Sequence, residues 1–282
     1  MKNQYLLALA VLMLTQCTPK KTNDDQAKSE QKTTAQPFAY NLDQPSERFE
    51  LPSELEEISG LSYYKPNQLL CVQDEIAVAY VYDIQKKKVV DEFSFGGYGD
   101  FEGIEAVGDE IYVLRSDGDL FSFSPPNKDI RHAKTDLPGK NDVEGLGYNP
   151  RTKRLLLAVK ESTKKGEQVT DKIIYSFDLL NRAIFKELVI DGTDLGSFLP
   201  SGLAVHPITG QYFVISSAGD ALLIIDPKGN VLDQKPLSKK TLRQPEGICF
   251  APDGTMYISS EGKGKSGYIL RYDYQKITNL LN

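Results

Sequence analysis

Glu57-Ile58-Ser59-Gly60-Leu61 returns in altered form as Phe101-Glu102-Gly103-Ile104, Val143-Glu144-Gly145-Leu146, Pro200-Ser201-Gly202-Leu203 and Pro245-Glu246-Gly247-Ile248. The phrase recurs every ~40–50 residues, a period that belongs to a propeller blade or a helical solenoid. The residues after each glycine decide between the two. Gly202 leads into Leu203-Ala204-Val205-His206-Pro207, a turn at Ile208-Thr209-Gly210, then Tyr212-Phe213-Val214-Ile215-Ser216 and Ala221-Leu222-Leu223-Ile224-Ile225. The last repeat has the same plan, with Ile248-Cys249-Phe250, Met256-Tyr257-Ile258-Ser259 and Tyr268-Ile269-Leu270-Arg271-Tyr272. Short β-branched and aromatic runs parted by Gly, Pro, Asn and Asp predict consecutive antiparallel strands, and no repeat carries a sustained helical stripe. The chain reads as all-β, a single β-propeller of five four-stranded blades.

The wide step between Gly145 and Gly202 leaves six blades as the alternative. An insertion accounts for it better, because Glu161 to Gln168 is a polar loop between two strands of blade three. Ring closure calls for a strand ahead of the first phrase, either Arg48-Phe49-Glu50-Leu51 or Phe38 to Leu42, as the outer strand of the last blade. The chain has 282 residues, 40% hydrophobic and 26% charged, enough for one sizeable core. A net charge of −6 without a basic stripe argues against nucleic acid as a partner. A monomer is expected.

Residues 1–16 read as a signal peptide. Lys2 precedes an apolar run from Tyr5 to Leu14, too short to span a bilayer. Its end, Leu12-Met13-Leu14-Thr15-Gln16-Cys17, resembles the lipobox of bacterial lipoproteins, although Gln16 departs from the usual small residue. That resemblance implies lipidation of Cys17 and attachment to a membrane of the bacterial cell envelope, expected to be the outer one. Residues 17–37 hold no large aliphatic side chain and predict a solvated tether; residues 38–282 are assigned to the propeller. The remaining cysteines, Cys71 and Cys249, sit in apolar runs and read as buried free thiols, with a disulfide as the alternative.

Acids carry the chemistry. In an antiparallel blade the first strand begins where the second ends, so two sets of side chains meet at one mouth of the channel. The first is Glu57, Glu102, Glu144, Ser201 and Glu246, with Asp100 and Asp142 beside them; the second includes Asp74, Glu75, Arg115, Lys160, Glu161, Ser216, Ser217 and Glu261. Crowded carboxylates repel unless a cation joins them. An all-oxygen set suits calcium, which assigns Glu57, Glu75, Glu102, Glu144, Glu161, Glu246 and Glu261 as candidate metal ligands. The competing expectation is that Arg115, Lys160 and Arg243 neutralise the ring as ion pairs. Ser201 interrupts the ring and marks the side on which a ligand approaches. His132 and His206 lack a nucleophile at triad spacing and read as structural. Lys86-Lys87-Lys88 reads as a solvated turn, and Gly96-Gly97-Tyr98-Gly99-Asp100 lacks the following helix of a phosphate cradle.

Together, Glu57-Ile58-Ser59-Gly60-Leu61, Asp100-Phe101-Glu102-Gly103-Ile104, Asp142-Val143-Glu144-Gly145-Leu146, Pro200 to Pro207 and Gln244-Pro245-Glu246-Gly247-Ile248 resemble the SdiA-regulated family, bacterial envelope propellers distantly related to NHL-repeat proteins. The resemblance implies a five-bladed propeller with a calcium site. Two functions are open. One is a non-catalytic module that presents its channel face to an envelope protein or small ligand. The other is a calcium-dependent hydrolase of lactones or phosphate esters, with Glu75, Glu161 or Glu261 as base.

Overall fold

Each glycine phrase opens the innermost strand of a blade. The structure, a computed structural model, describes residues 38–126, 128–137, 141–162 and 170–275. The expected signal peptide, Cys17, the tether and residues 163–169 of the polar loop lie outside the described residues. Strand β1 (Glu47–Glu50) precedes the first phrase. Blade one is β2 (Ile58–Lys65), β3 (Gln68–Gln73), β4 (Ile76–Asp83) and β5 (Lys88–Tyr98). Blade two is β6 (Phe101–Val107), β7 (Glu110–Arg115), β8 (Leu120–Ser124) and β9 (Lys128–Ala133). Blade three is β10 (Asn141–Asn149), β11 (Arg154–Ser162), β12 (Lys172–Asp178) and β13 (Ile184–Ile190). Blade four is β14 (Gly202–Val205), β15 (Tyr212–Ser216), β16 (Ala221–Ile225) and β17 (Val231–Pro236). Blade five takes β18 (Pro245–Phe250), β19 (Met256–Ser260) and β20 (Tyr268–Tyr272) and borrows β1 as its outer strand.

Five four-stranded antiparallel sheets result, and the six-bladed alternative is set aside. Of the two candidate closing strands, the first is used: Phe49 pairs with Ile269 and Glu50 with Tyr268. Phe38 to Leu42 instead pack against blades four and five, with Tyr40 against Phe213, Phe250 and Tyr274.

Burial follows position within the blade. Middle strands lie between neighbouring blades and are covered on both faces, so β16 and β19 are buried throughout; such strands read as unbroken apolar runs. Outer strands such as β17 are largely exposed and carry charge, which protects an edge from pairing with other chains. The core is therefore a set of clusters between blades. Ile215, Leu222 and Ile224 of blade four meet Ile248, Ile258 and Leu270 of blade five. Cys71 and Cys249 are buried free thiols in the cluster between blades one and five.

Two geometric demands explain the repeated phrase. The first is close approach. A Cβ built at Gly60 would stand 2.8 Å from Gly103 Cα, and one at Gly202 only 2.3 Å from the Glu246 carbonyl oxygen. The inner strands thus pack backbone against backbone around the axis, where glycine alone fits. The second demand is an extra residue. Ile58 pairs with Gln73 and Gly60 with Val72, leaving Ser59 unmatched; Glu102 and Glu144 are unmatched in the same way, and the β18–β19 register also breaks, between Pro245 and Ile248. A β-bulge re-aims the side chain it carries.

Candidate functional site

The bulges bring Glu102, Glu144 and Glu246 to one place. With Ser59, Gly60, Gly103, Gly202 and Gly247 they line a cavity in the channel of about 10 Å³, room for a single water at most. Glu144 and Glu246 are buried and Glu102 is half-buried. Burial comes first in raising all three carboxyls. Glu102 is pushed up to about 10, next by Glu144, by Asp100 and by a carboxyl–carboxyl hydrogen bond with Asp100. Glu246 is raised well above the carboxylate range, with Glu144 and Glu261 adding to its burial. Glu144 is raised less because the Lys160 ammonium hydrogen-bonds to its Oε1.

A second tier forms the rim. Glu261 is half-buried and pushed up to about 7 by burial, then by Asp74 and Glu57; its Oε2 accepts a hydrogen bond from Gln244 Nε2 at 2.6 Å. Asp74 and Asp142 are raised by burial, then respectively by Glu57 and, against the pull of Lys160, by Asp100. Glu75, Glu57 and Glu161 are exposed. Glu75 and Glu57 act electrostatically on Asp74, and Glu161 on Asp142.

The expectations for Ser201, Arg115 and Arg243 are corrected, and Glu57 is placed apart from the other glutamates. Glu57 stands outside the register of the other glutamates, because Ser59 fills the position before Gly60 and hydrogen-bonds through Oγ to the Phe101 carbonyl at 2.6 Å. Ser201 leaves no opening: it is 2% exposed, donates to the Pro245 carbonyl at 2.7 Å and accepts from Ser217 N at 3.2 Å. The two serines act as stitches from one inner strand to the next. Arg115 does not neutralise the ring, since it pairs with Asp117 at 2.6 Å and Asp119 at 2.9 Å. Lys160 does join the ring, whereas Arg243 donates to the Gly262 carbonyl at 3.2 Å.

The histidines are structural. His132 meets Asp119 at 2.8 Å and stacks on Phe121, while His206 is buried beneath Tyr40. Gln244, which links the inner and outer tiers through Glu261 and Glu246, carries no signal in the sequence beyond standing two residues before Glu246.

For calcium, the donor chemistry fits and the placement does not. Carboxylate oxygens are what a hard ion takes. Yet among the described residues no group of three or more His, Cys, Asp or Glu side chains is set to hold a metal ion, and an ammonium already stands against Glu144.

A family model described as SdiA-regulated matches residues 38–263. No match is found among curated proteins. Among solved structures, a glutaminyl cyclase from Myxococcus xanthus superposes at TM-score 0.60 with 13% identity, covering 82% of this chain and 96% of that one. A streptogramin B lyase superposes at TM-score 0.52 with 9% identity, covering 80% and 97%. A protein of unknown function from Bacteroides caccae gives TM-score 0.46 and 15% identity over 68% of this chain; the chain spans 65% of that protein's length. At these identities the likeness is one of fold.

Proposed function

The chain belongs to the SdiA-regulated family, and on that footing we propose that it is a non-catalytic binding module, held at the bacterial cell envelope through a lipid on Cys17, that captures a cation at the acidic mouth of its channel. One observation carries the reading. Bulges on inner strands aim carboxyls from three blades at a single axis, and one ammonium, Lys160, stands among them. Burial and crowding raise these acids toward their protonated forms, so a cation captured among them displaces protons and restores the charged carboxylates.

Calcium is titrated as the hard-cation case, because the mouth offers carboxylate oxygens although Lys160 already stands against Glu144. Calorimetry on the wild-type chain and on Glu246→Gln tests the reading. Binding that the substitution weakens by about ten-fold or more, the usual cost of losing a charged partner, supports it. No response to calcium, magnesium or alkylammonium ions sinks it. For the tether, incorporation of labelled fatty acid that is lost in Cys17→Ser is the expected result; equal labelling of both chains rejects the anchor.

A hydrolase reading rests on Glu261, whose carboxyl near 7 suits a general base at neutral pH. The names glutaminyl cyclase and streptogramin B lyase belong to distant neighbours in fold and lend it no residue. A cavity of about 10 Å³ at the glutamates confines any substrate to the rim. Turnover of a lactone or phosphate ester, abolished in Glu261→Gln, would replace the module reading.

A further inference from the structure

Ile76 and Tyr98 pair across β4 and β5 at the end of blade one. Both are exposed, Ile76 at 40% and Tyr98 at 89%, so an aromatic ring and an aliphatic chain stand side by side in solvent. Gly96 and Gly97 precede the tyrosine and Gly99 comes directly after it, which keeps its surroundings clear of competing side chains. Gly97 has nothing near enough to touch an added Cβ.

This ribbon is joined to the acidic mouth by backbone. Gly99 N donates to the Glu75 carbonyl at 3.0 Å and Phe101 N to that of Asp74 at 2.8 Å. Asp74 feels Glu75 and Asp100, and Asp100 hydrogen-bonds to Glu102. The backbone around Tyr98 is thus fastened to the segment that carries Asp74 and Glu75, and Glu75, exposed and next to Ile76, is the acid at the ribbon's edge. Asp74 Oδ1 is shielded from solvent and, among the described residues, accepts no hydrogen bond; a buried acceptor of this kind lacks a donor. Of the nearby cations, Arg115 is engaged with Asp117 and Asp119 and Lys160 with Glu144, while Lys263 acts on Glu261.

We infer that the Tyr98–Ile76 ribbon is a docking platform for an organic cation, an ammonium or guanidinium on an extended, partly apolar stem, as on a lysine- or arginine-bearing segment of a partner polypeptide. The inference rests on the reading of the mouth as a cation site and names the class of its ligand. A bare metal ion gains nothing from an exposed Ile, whereas a lysine stem packs against Ile76 and Tyr98 while its ammonium reaches the acids. A cation over an aromatic face is attracted by the ring quadrupole, and N–H donors of charged groups pair with carboxylates at short range. Asp74, Glu75, Glu57 and Glu261 influence one another at this rim, a local acidic charge complementary to a basic partner.

The test is calorimetry at low salt on the full chain, with acetyl-Gly-Lys-Gly-amide and calcium chloride titrated in parallel into wild type, Tyr98→Ala and Tyr98→Phe. The peptide is expected to bind about two- to five-fold more weakly to Tyr98→Ala, the range of an exposed cation–π contact, and equally to Tyr98→Phe. The calcium response stays unchanged in both. Equal thermal midpoints for the three chains separate lost docking from lost folding. Peptide binding that ignores Tyr98→Ala overturns the platform. Calcium binding without peptide binding also overturns it, and leaves the cation-binding mouth standing. Failure of both titrations overturns both readings.

Discussion

Lys160 Nζ donates to Glu144 Oε1 from the irregular end of β11 to the unmatched residue of β10. The pair sits in a ring otherwise built from carboxyls, so it takes up an acid that would repel Glu246 and Glu102. Removing the ammonium leaves a buried carboxyl without its donor, which costs about 1–3 kcal/mol. Lys160→Met is therefore expected to lower stability to urea by about that amount at pH 8. At pH 4 the unpaired Glu144 takes a proton and the difference shrinks. Urea midpoints at the two pH values check this, and an equal loss at both would show that Lys160 acts by packing.

Raised carboxyls make the mouth a pH-dependent liability. Between the ordinary value of 4.5 and the folded values of about 10 for Glu102 and about 7 for Glu261, the folded chain holds protons that the unfolded chain has released. Stability from these groups is fully present below pH 4.5 and is lost as pH rises through that window. Glu102→Gln removes the largest part. Its thermal midpoint should exceed that of wild type at pH 9 and converge with it near pH 4.5. A parallel offset at every pH would point to altered packing in place of titration.

The readable parts of this site are those that the glycines index. Glu102, Glu144 and Glu246 each precede a glycine that must touch the next inner strand, so spacing alone aligns them. Glu57 misleads because a carboxylate three positions before Gly60 looks like the same phrase, while Ser59 holds the register. Bulges escape a reading of one strand, since an unmatched residue exists only relative to its partner strand. The fate of Arg115 was equally hidden: it is captured by Asp117 and Asp119 in the adjoining turn, a local contact that outcompetes a distant ring. Blade number survives all of this because it depends on period and turn chemistry, which are local.

Close approach around the axis gives a sharp steric contrast. An added methyl at Gly202 meets the backbone oxygen of Glu246 at 2.3 Å, whereas one at Gly97 meets nothing within 4 Å. Backbone cannot swing aside as a side chain can. Gly202→Ala should cost about 3 kcal/mol, the upper part of the range for overpacking. Gly97→Ala should stay within about 0.5 kcal/mol of wild type. Denaturant unfolding of both variants distinguishes packing at the axis from a general intolerance of glycine replacement.

The clamp beneath blades four and five is testable through one oxygen. His206 Nδ1 accepts from the backbone N–H groups of Ile208 at 3.3 Å and Thr209 at 3.1 Å, which places the ring proton on Nε2. That proton is donated to the Tyr40 hydroxyl, 2.7 Å away, and the hydroxyl donates in turn to the Gly254 carbonyl at 2.7 Å. Burial pushes His206 down to about 4, so its contribution to stability is lost as pH falls from 6.5 toward that value, where only the unfolded chain takes the proton. Tyr40→Phe keeps the aromatic contacts and strips both hydrogen bonds, leaving a buried N–H and a buried C=O unpaired at a cost of about 1–3 kcal/mol. Urea unfolding at pH 7.5 measures it. An unchanged midpoint would mean that the two Tyr40 hydrogen bonds add nothing to ring packing and to the Gln275–Ala39 backbone bond in holding residues 38–42.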